Sequence, residues 1–363
     1  MIIDIKWLTG PNKPLTRFGE IPQFKEGLYQ LGKFIYAWMV PNGSWGETNL
    51  GLIDCKGQSV LIDTAWDLKY TKEWLDAAQG ILKQSPVEYV INTHSDGDHF
   101  WGNQLFKDKK IIATHACARR MPHLRPSSVN ALLAVMWPLK WAPFFGLHTF
   151  EHYMRNMFLP YDFKDISLTP ANDSFSGEKH LSVNGVDLLI EEVGTSHTDG
   201  DAMVYLPQEK VLFSGDIVFF TCTPVLWAGP IENCIAGLRK IIEKDVDIII
   251  PGHGPVATKK DVQCVIDYWE MVEDALFACY QKGMPPMKAA QAFIASEKFL
   301  ASPFASWDSP ERIVASAHTQ YRHWGTYKTV LPEVIDTMRI FKKQARLAFE
   351  MPEAKPSVMR HFQ

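Results

Sequence analysis

Histidine and aspartate side chains are grouped along this sequence in a spacing that suits a metal centre. Segment 94–99 reads His-Ser-Asp-Gly-Asp-His, which places two imidazoles and two carboxylates close together in the chain. Further on, His197, Asp216 and His253 each stand beside small residues that let the backbone approach closely. Neutral imidazole and ionised carboxylate are ligands that divalent Zn, Fe or Mn accept. The pattern therefore predicts a site for one or two divalent cations.

The first group divides its side chains between two targets. Alternate side chains of an extended segment point the same way, so His94 and Asp96 can share one target. Asp98 and His99 then turn toward a second target, and Gly97 is expected to permit the sharp backbone path between them. This spacing is compatible with two neighbouring cation positions and leaves open whether one or both are filled.

Four strand patterns run directly into these side chains. Ligands of layered α/β proteins collect at the carboxyl ends of neighbouring strands, so four such ends supplying His or Asp predict one shared site. Two cations roughly 3.5–4 Å apart would need a common carboxylate, a role that Asp216 could fill. The four strand patterns occupy residues 87–93, 186–193, 210–213 and 246–250.

Composition excludes several other classes of protein. The 363 residues include 46% apolar and 21% charged residues, near the globular average, which excludes intrinsic disorder. A formal net charge of −4 argues against a nucleic-acid binder. The sequence shows no apolar run near the ~20 residues that span a bilayer, and it begins without the pattern of a signal peptide. The six scattered cysteines predict free thiols, and hence a cytoplasmic protein.

The remaining segments predict a strand-rich core with helical additions. Strand patterns over 27–62 and 88–252 flank a helical pattern at 69–82. Residues 121–163 are unusually apolar and fit either a helical hairpin packed on the core or a lid over an apolar substrate. Beyond the last ligand segment the patterns are helical, beginning with a cap at Thr258. This C-terminal third could pack on the first part, form a small domain or act as a dimer arm.

These residues resemble the metallo-β-lactamase-fold hydrolase superfamily. Its pattern is His-x-His-x-Asp-His followed by a distant His, an Asp and a His, and Leu61-Ile62-Asp63-Thr64 is similar to an early family segment whose Asp supports the ligand loop. The resemblance covers roughly residues 25–265. It implies an α/β (α+β) fold, an αββα four-layer sandwich, with a metal-binding domain at 1–265 and a helical extension at 266–363. The matching positions are His94, Asp98, His99, His197, Asp216 and His253.

One position departs from the family's pattern, because Asp96 stands where the family has its second His. If Asp96 binds, the first cation position is rich in oxygen, which moves its preference from Zn toward Fe or Mn without excluding Zn. If the shorter side chain does not reach, that position is weak or empty and one cation remains at the second. The two ligand sets, sharing Asp216, are His94, Asp96 and His197 for the first position and Asp98, His99 and His253 for the second.

The resemblance and the residues together predict a metallohydrolase, with Zn as the favoured metal. A metal-bound hydroxide would attack the carbonyl of an ester, lactone, thioester or amide, and Asp98 would orient this nucleophile or take up its proton. A rim of Phe219, Phe220 and Trp227 follows Asp216 and, with the apolar insertion, favours a small apolar or aromatic-containing substrate.

Two alternatives stand beside this interpretation. The first is a diiron redox or oxygen-activating protein on the same fold, and the second is a non-catalytic binding protein. We expect no nucleic-acid or membrane partner, and a homodimer is compatible with the helical extension.

Overall fold

The computed structural model describes residues 5–141, 146–325, 331, 333–351 and 356–360. Positions 142–145 of the predicted insertion therefore lie outside the described residues. The described chain forms two β-sheets with helices on their outer faces.

The first sheet contains eight strands that lie side by side in chain order. They are β1 (Lys6–Thr9), β2 (Gly27–Gln30), β3 (Ile35–Met39), β4 (Leu50–Asp54), β5 (Ser59–Ile62), β6 (Val87–Ile91), β7 (Lys110–Thr114) and β8 (Asp173–Phe175). The pairs from β1 to β5 are antiparallel, and those from β5 to β8 are parallel.

The second sheet contains five strands. They are β9 (Glu178–Val183), β10 (Val186–Gly194), β11 (Asp201–Leu206), β12 (Val211–Phe219) and β13 (Ile248–His253). Their order is β13-β12-β11-β10-β9, and only β12 and β13 pair in parallel. The carboxyl ends of β10, β12 and β13 therefore meet at one edge of the sheet.

Helices occupy the connections and the C-terminal third. They are α1 (Leu68–Ala77), α2 (Gln79–Leu82), α3 (Gly97–Phe100), α4 (His115–Arg120), α5 (Pro126–Met136), α6 (Leu147–Phe158), α7 (Ile231–Glu243), α8 (Lys259–Gln281), α9 (Pro286–Ile294), α10 (Glu297–Leu300), α11 (Ile313–His323), α12 (Glu333–Glu350) and α13 (Ser357–Arg360). Short 3₁₀ turns lie at Trp101–Phe106, Met121–His123, Trp137–Trp141, Pro303–Ser306 and Pro310–Arg312.

The predicted four layers are confirmed by the way apolar side chains alternate along the strands. On β12, Val211 and Phe213 join the apolar cluster between the two sheets, whereas Leu212 joins the cluster beneath the outer helices. Trp74 of α1 is fully buried against the outer face of the first sheet. Because successive strand residues face opposite sides, both sheets are covered on both faces.

Helices α8 and α11 of the C-terminal third pack on the second sheet, as in the first of the three arrangements that the sequence left open. Helix α8 begins with the predicted cap, in which the side chains of Thr258 and Asp261 satisfy each other's backbone N–H groups. Val265 and Trp269 of α8 share an apolar cluster with Val314 of α11 and with β12. The domain boundary at residue 265 stays a prediction. Among the described helices, none is both long and apolar enough to cross a membrane.

The insertion contributes a packed helix at its second half. Tyr153 of α6 is buried in an apolar cluster with Trp66 and Trp101, and α12 covers the same cluster. By contrast, Val135 is 75% exposed and Trp137 is 53% exposed in the first half. Helix α6 therefore packs on the core as the first interpretation predicts, whereas the described part of the first half is more exposed.

A buried glutamate joins the insertion to the C-terminal helices and gives the fold a testable pH dependence. The Tyr153 hydroxyl donates a hydrogen bond to Glu311 at 2.6 Å, and burial raises the pKa of Glu311 from 4.5 to about 7. Between these two values the folded state keeps a proton that the unfolded state has lost, so stability falls as pH rises through this window. We expect Glu311→Gln to flatten the slope of unfolding free energy against pH by about 1.4 kcal/mol per unit.

Urea unfolding at pH 5, 6 and 7 measures this slope. Glu350→Gln, a change to an exposed glutamate on α12, is the control and should leave the slope unaltered. Identical slopes for the parent and Glu311→Gln would contradict the assignment.

Candidate metal centre

Four strands bring the predicted ligands to one edge of the sandwich. His94 follows the end of β6, His197 follows β10, and His253 is the last residue of β13. The prediction that the third strand ends at residue 213 was wrong, because β12 continues to Phe219 and holds Asp216 within it. The pairing of β12 with β13 shifts register around Gly215, so that the strand is irregular where it presents Asp216.

The carboxylate of Asp216 lies among four imidazoles. Its Oδ1 is 3.2 Å from Nε2 of His99. Its Oδ2 is 3.3 Å from Nε2 of His197, 3.4 Å from that of His253 and 3.7 Å from that of His94. All five side chains are buried. Such a position is the one required of a carboxylate shared between two cations.

Two glycines are required here by close approach. A Cβ on Gly252 would lie 1.9 Å from Oδ1 of Asp216, so only glycine leaves room for this carboxylate. The expectation that Gly97 permits a sharp turn was wrong in its reason, because Gly97 begins helix α3 with helical backbone. A Cβ there would instead lie 2.6 Å from the ring of Trp101, so Gly97 allows that indole to pack beneath the ligand segment.

Each imidazole is oriented by a partner on its other ring nitrogen. These partners accept a hydrogen bond from Nδ1, which leaves the lone pair of Nε2 directed at the centre. The Nδ1 partners are Oγ1 of Thr93 for His94 (3.0 Å), Oδ2 of Asp63 for His99 (2.9 Å), the Val225 carbonyl for His197 (2.7 Å) and the Glu47 carbonyl for His253 (3.0 Å). In its neutral form each ring would carry its proton on Nδ1 and leave Nε2 free for a metal.

Asp63 supports the ligand segment as the resemblance implied. Its carboxylate accepts hydrogen bonds from the backbone N–H and the hydroxyl of Thr93, both at 2.7 Å, and from His99. Thr93 in turn accepts from His94, so one carboxylate fixes two imidazoles. Asp63 adopts a positive φ of 61°, a conformation that Asp tolerates better than most residues.

Asp96 and Asp98 lie on opposite sides of Asp216. Oδ2 of Asp96 is 3.1 Å from Nε2 of His197, so this shorter side chain does reach the first position. Oδ2 of Asp98 is 3.5 Å from Nε2 of His253 and accepts a hydrogen bond from Thr48 at 2.6 Å. Among the described residues, candidate ligand atoms form three groups, and the atoms of each group lie within 4.8 Å of one another. The groups are His94, Asp96 and His197; Asp98, His99 and His253; and His94, His99 and Asp216, which shares a residue with each of the other two.

Burial and mutual charge shift the pKa values of these groups. Burial lowers the pKa of His94 well below its usual range, and the neighbouring His99 adds to this. Burial also opposes ionisation of Asp216, but His253, His99 and His94 outweigh it and hold the pKa of Asp216 well below its usual range. Burial is likewise outweighed at His197, where the hydrogen bond to Asp96 raises the pKa to about 9. A cation binding here would displace protons from the imidazoles.

The donor set fits divalent cations. Among the residues that the structure describes, Nε2 of His94, Nε2 of His99 and Oδ1 of Asp216 are buried without a hydrogen-bond partner. Buried polar atoms in native proteins normally have partners, and these three converge on one point. One or two divalent cations would satisfy them.

The predicted aromatic rim divides into different roles. Phe219 is 2% exposed and stacks on His253 with ring centroids 5.0 Å apart, so its assignment as a substrate contact is corrected to packing behind the ligands. Phe220 is half-buried against the outer helices. Trp227 is half-buried, and its backbone N–H donates to the His197 carbonyl at 2.9 Å. It therefore lies beside the first cation position.

Sequence reasoning missed the partners that orient the ligands. Thr48 lies in the loop between β3 and β4, where nothing in the local pattern marks it. Glu47 and Val225 contribute backbone carbonyls, which leave no trace in residue type. Only Asp63 had a signal, through its resemblance to a family segment.

An αββα sandwich with four imidazoles and a central carboxylate at one edge defines a class of metal-dependent enzymes. The model of the family described as the metallo-beta-lactamase superfamily matches residues 43–253, more than half of the chain. The chain belongs to the metallo-beta-lactamase superfamily. Proteins named metallo-beta-lactamase type 2 are among the relatives that the chain matches, which agrees with the predicted metallohydrolase class.

The individual relatives share low sequence identity with this chain. The chain is 22% identical over 227 residues to the 2,4-dinitroanisole O-demethylase subunit alpha of Nocardioides sp. (strain JS1661), covering 61% of this chain and 55% of that protein. It is 26% identical over 226 residues to the Beta-lactamase-like protein 2 homolog of Caenorhabditis elegans, covering 61% of each. The chain thus spans only about three fifths of these curated relatives.

A solved structure supports the fold. The stereoselective inverting sec-alkylsulfatase Pisa1 from Pseudomonas sp. is 16% identical and aligns with a TM-score of 0.57, covering 83% of this chain and 51% of that chain. At this identity the likeness concerns the fold alone.

Proposed function

We propose that this protein is a hydrolase that uses two divalent cations, Zn most favoured, to cleave an ester, lactone, thioester or amide of an apolar substrate. One observation carries the proposal. A single carboxylate lies within 4 Å of four imidazoles, and every imidazole is held at Nδ1 with its Nε2 turned inward. A structural role alone would not require four buried rings to share one tautomer.

The residues have two proposed roles, which are to bind the cations and to accept a proton from a water molecule. His94, Asp96 and His197 would hold one cation, Asp98, His99 and His253 the other, and Asp216 both. When bound, such cations lower the pKa of a water molecule to about 7 and polarise the electrophilic group of the substrate. Asp98 is the residue best placed to orient that water and take up its proton, because its side chain is partly exposed while Thr48 fixes one oxygen.

We propose the type of bond from the residues of the site and not from the relatives. The relatives' names include an O-demethylase and a sec-alkylsulfatase, so membership of the superfamily does not choose among bonds. Trp227 beside His197 supports an apolar substrate. The six free thiols are compatible with the cytoplasm.

A panel of substrates tests the activity. Apolar esters, lactones, thioesters, amides, alkyl sulfates and aryl ethers are incubated with the full chain before and after chelation. We expect hydrolysis of one carbonyl class, its loss on chelation and its return with zinc. Hydrolysis of no carbonyl substrate by zinc-loaded protein, or activity that is indifferent to chelation, would contradict the proposal.

Asp96 is expected to set the metal preference of the first position. Because a carboxylate favours harder cations than imidazole does, Asp96→His should raise zinc occupancy there relative to iron or manganese. Elemental analysis of parent and variant, each equilibrated with an equimolar mixture of the three metals, measures the change. Unaltered proportions would mean that Asp96 does not bind. Asp199→His, which adds an imidazole at an exposed position two residues after His197, is the control.

A further inference from the structure

We propose that the C-terminal helical extension supplies part of the substrate site through Phe341. Together with Trp45 and Trp227 it forms an aromatic wall that binds an aromatic group of the substrate. This inference rests on the proposed function and names the part of the substrate that is recognised.

The aromatic wall (Trp45, Trp227 and Phe341) is assembled from three distant parts of the chain. Ring centroids are 5.5 Å apart for Trp227 and Phe341, 5.9 Å for Trp45 and Phe341, and 6.5 Å for the two tryptophans. At these separations the rings touch one another, so they present one continuous apolar face. All three are only half-buried, which leaves part of this face open.

Backbone contacts place two residues of the wall in the loops that also carry the candidate ligands and their partners. Trp227 and Ala228 donate their backbone N–H groups to the His197 carbonyl at 2.9 and 3.1 Å. Trp45 lies in the same loop as Thr48, which bonds Asp98. A substrate whose reacting group meets the cations would therefore have its neighbouring group beside these rings.

The wall is fixed in place. The Trp45 indole N–H donates to the Tyr153 hydroxyl at 3.1 Å, and Tyr161 donates to the Trp45 carbonyl at 2.7 Å. On α12, Gln344 also donates to Tyr153, at 2.9 Å, which ties the helix carrying Phe341 to the loop carrying Trp45. A rigid surface of this kind costs little ordering entropy when a ligand binds.

The charge next to the wall selects the chemistry of its ligand. The guanidinium of Arg312 lies 4.5 Å from the Trp45 ring centroid and is buried there. A positive charge on one face of this ring repels a cation on the other, so a quaternary ammonium group is disfavoured. A neutral aromatic ring, which binds by burying area and by edge or offset contacts, suits the surface.

Thiols that coordinate the cations test ligand binding to the aromatic wall, whichever bond the enzyme cleaves. Cobalt(II)-loaded protein is titrated with 2-phenylethanethiol and with ethanethiol, and the thiolate charge-transfer band gives both dissociation constants. We expect the aromatic thiol to bind at least about tenfold more tightly, the effect of burying one ring face. In Phe341→Ala this preference should fall to about twofold or less, and in Phe341→Leu, which keeps the apolar bulk, to an intermediate value.

Phe349→Ala is the matched control, since Phe349 is a half-buried ring on the same helix that contacts His152. It should retain the parent preference. An equal preference in parent, Phe341→Ala and Phe349→Ala, or none in the parent, overturns the aromatic wall while leaving the metal centre intact. Absence of any charge-transfer band overturns the proposed function and this inference together.

Discussion

Replacing Asp216 with Asn should remove the cations and the activity together. The amide keeps the shape of the side chain but loses the charge that offsets two divalent ions, and it can no longer offer two anionic oxygens to four surrounding imidazoles. We expect metal content to fall from about two ions per chain to about none, and hydrolysis to fall by at least about 10³-fold. Elemental analysis and initial rates on the same sample measure both.

Asp67→Asn is the matched control for this change. Asp67 is also a buried aspartate, but its carboxylate accepts from the backbone N–H groups of Tyr70 and Asp162, at the start of α1. Asn keeps the bond from the Tyr70 N–H but loses the one from Asp162, so stability should fall somewhat while the folded variant keeps its metal content and activity. Full metal content in Asp216→Asn would refute the shared carboxylate.

Replacing Asp98 with Asn should separate proton transfer from metal binding. The amide removes the proposed proton acceptor and weakens the second position, whereas the first keeps His94, His197 and Asp216. We expect the rate to fall by about 10²–10⁴-fold with about one cation retained per chain. A rate profile against pH, together with elemental analysis, measures the change.

A second variant tests the orientation of Asp98 separately from its charge. Thr48→Val removes the hydroxyl that fixes one oxygen of Asp98 but leaves its charge in place. The rate should fall by about tenfold, the size typical of losing an orienting hydrogen bond to a ligand, with both cations retained. An Asp98→Asn enzyme as fast as the parent would exclude Asp98 from the reaction.

The sequence was informative about the candidate ligands because one local pattern, a strand followed by a histidine or an aspartate, occurs four times. Each of four strand patterns led into a histidine or aspartate, and topology then brought those ends together because β10, β12 and β13 run in the same direction. The αββα layers were implied by the resemblance to the superfamily, and the structure confirms them. Asp216 lies among the four imidazoles, although its strand is longer than predicted.

The sequence was less informative where contacts join distant segments. Phe219 follows Asp216 closely, yet it packs behind His253, because adjacency in the chain does not fix which side of a strand faces the site. Phe341 had no local signal at all, since its place beside Trp45 depends on how α12 packs on the insertion. Carbonyl partners of the imidazoles are likewise invisible in residue type.

Elemental analysis of the purified full chain tests the central claim most directly. If separate strands gather imidazoles and carboxylates around two cations, the protein should carry about two transition-metal ions per chain, zinc in the colourless enzyme that we propose. Iron with visible absorption would favour the redox alternative instead. A chain that holds no transition metal, even after dialysis against a zinc salt, would contradict the account.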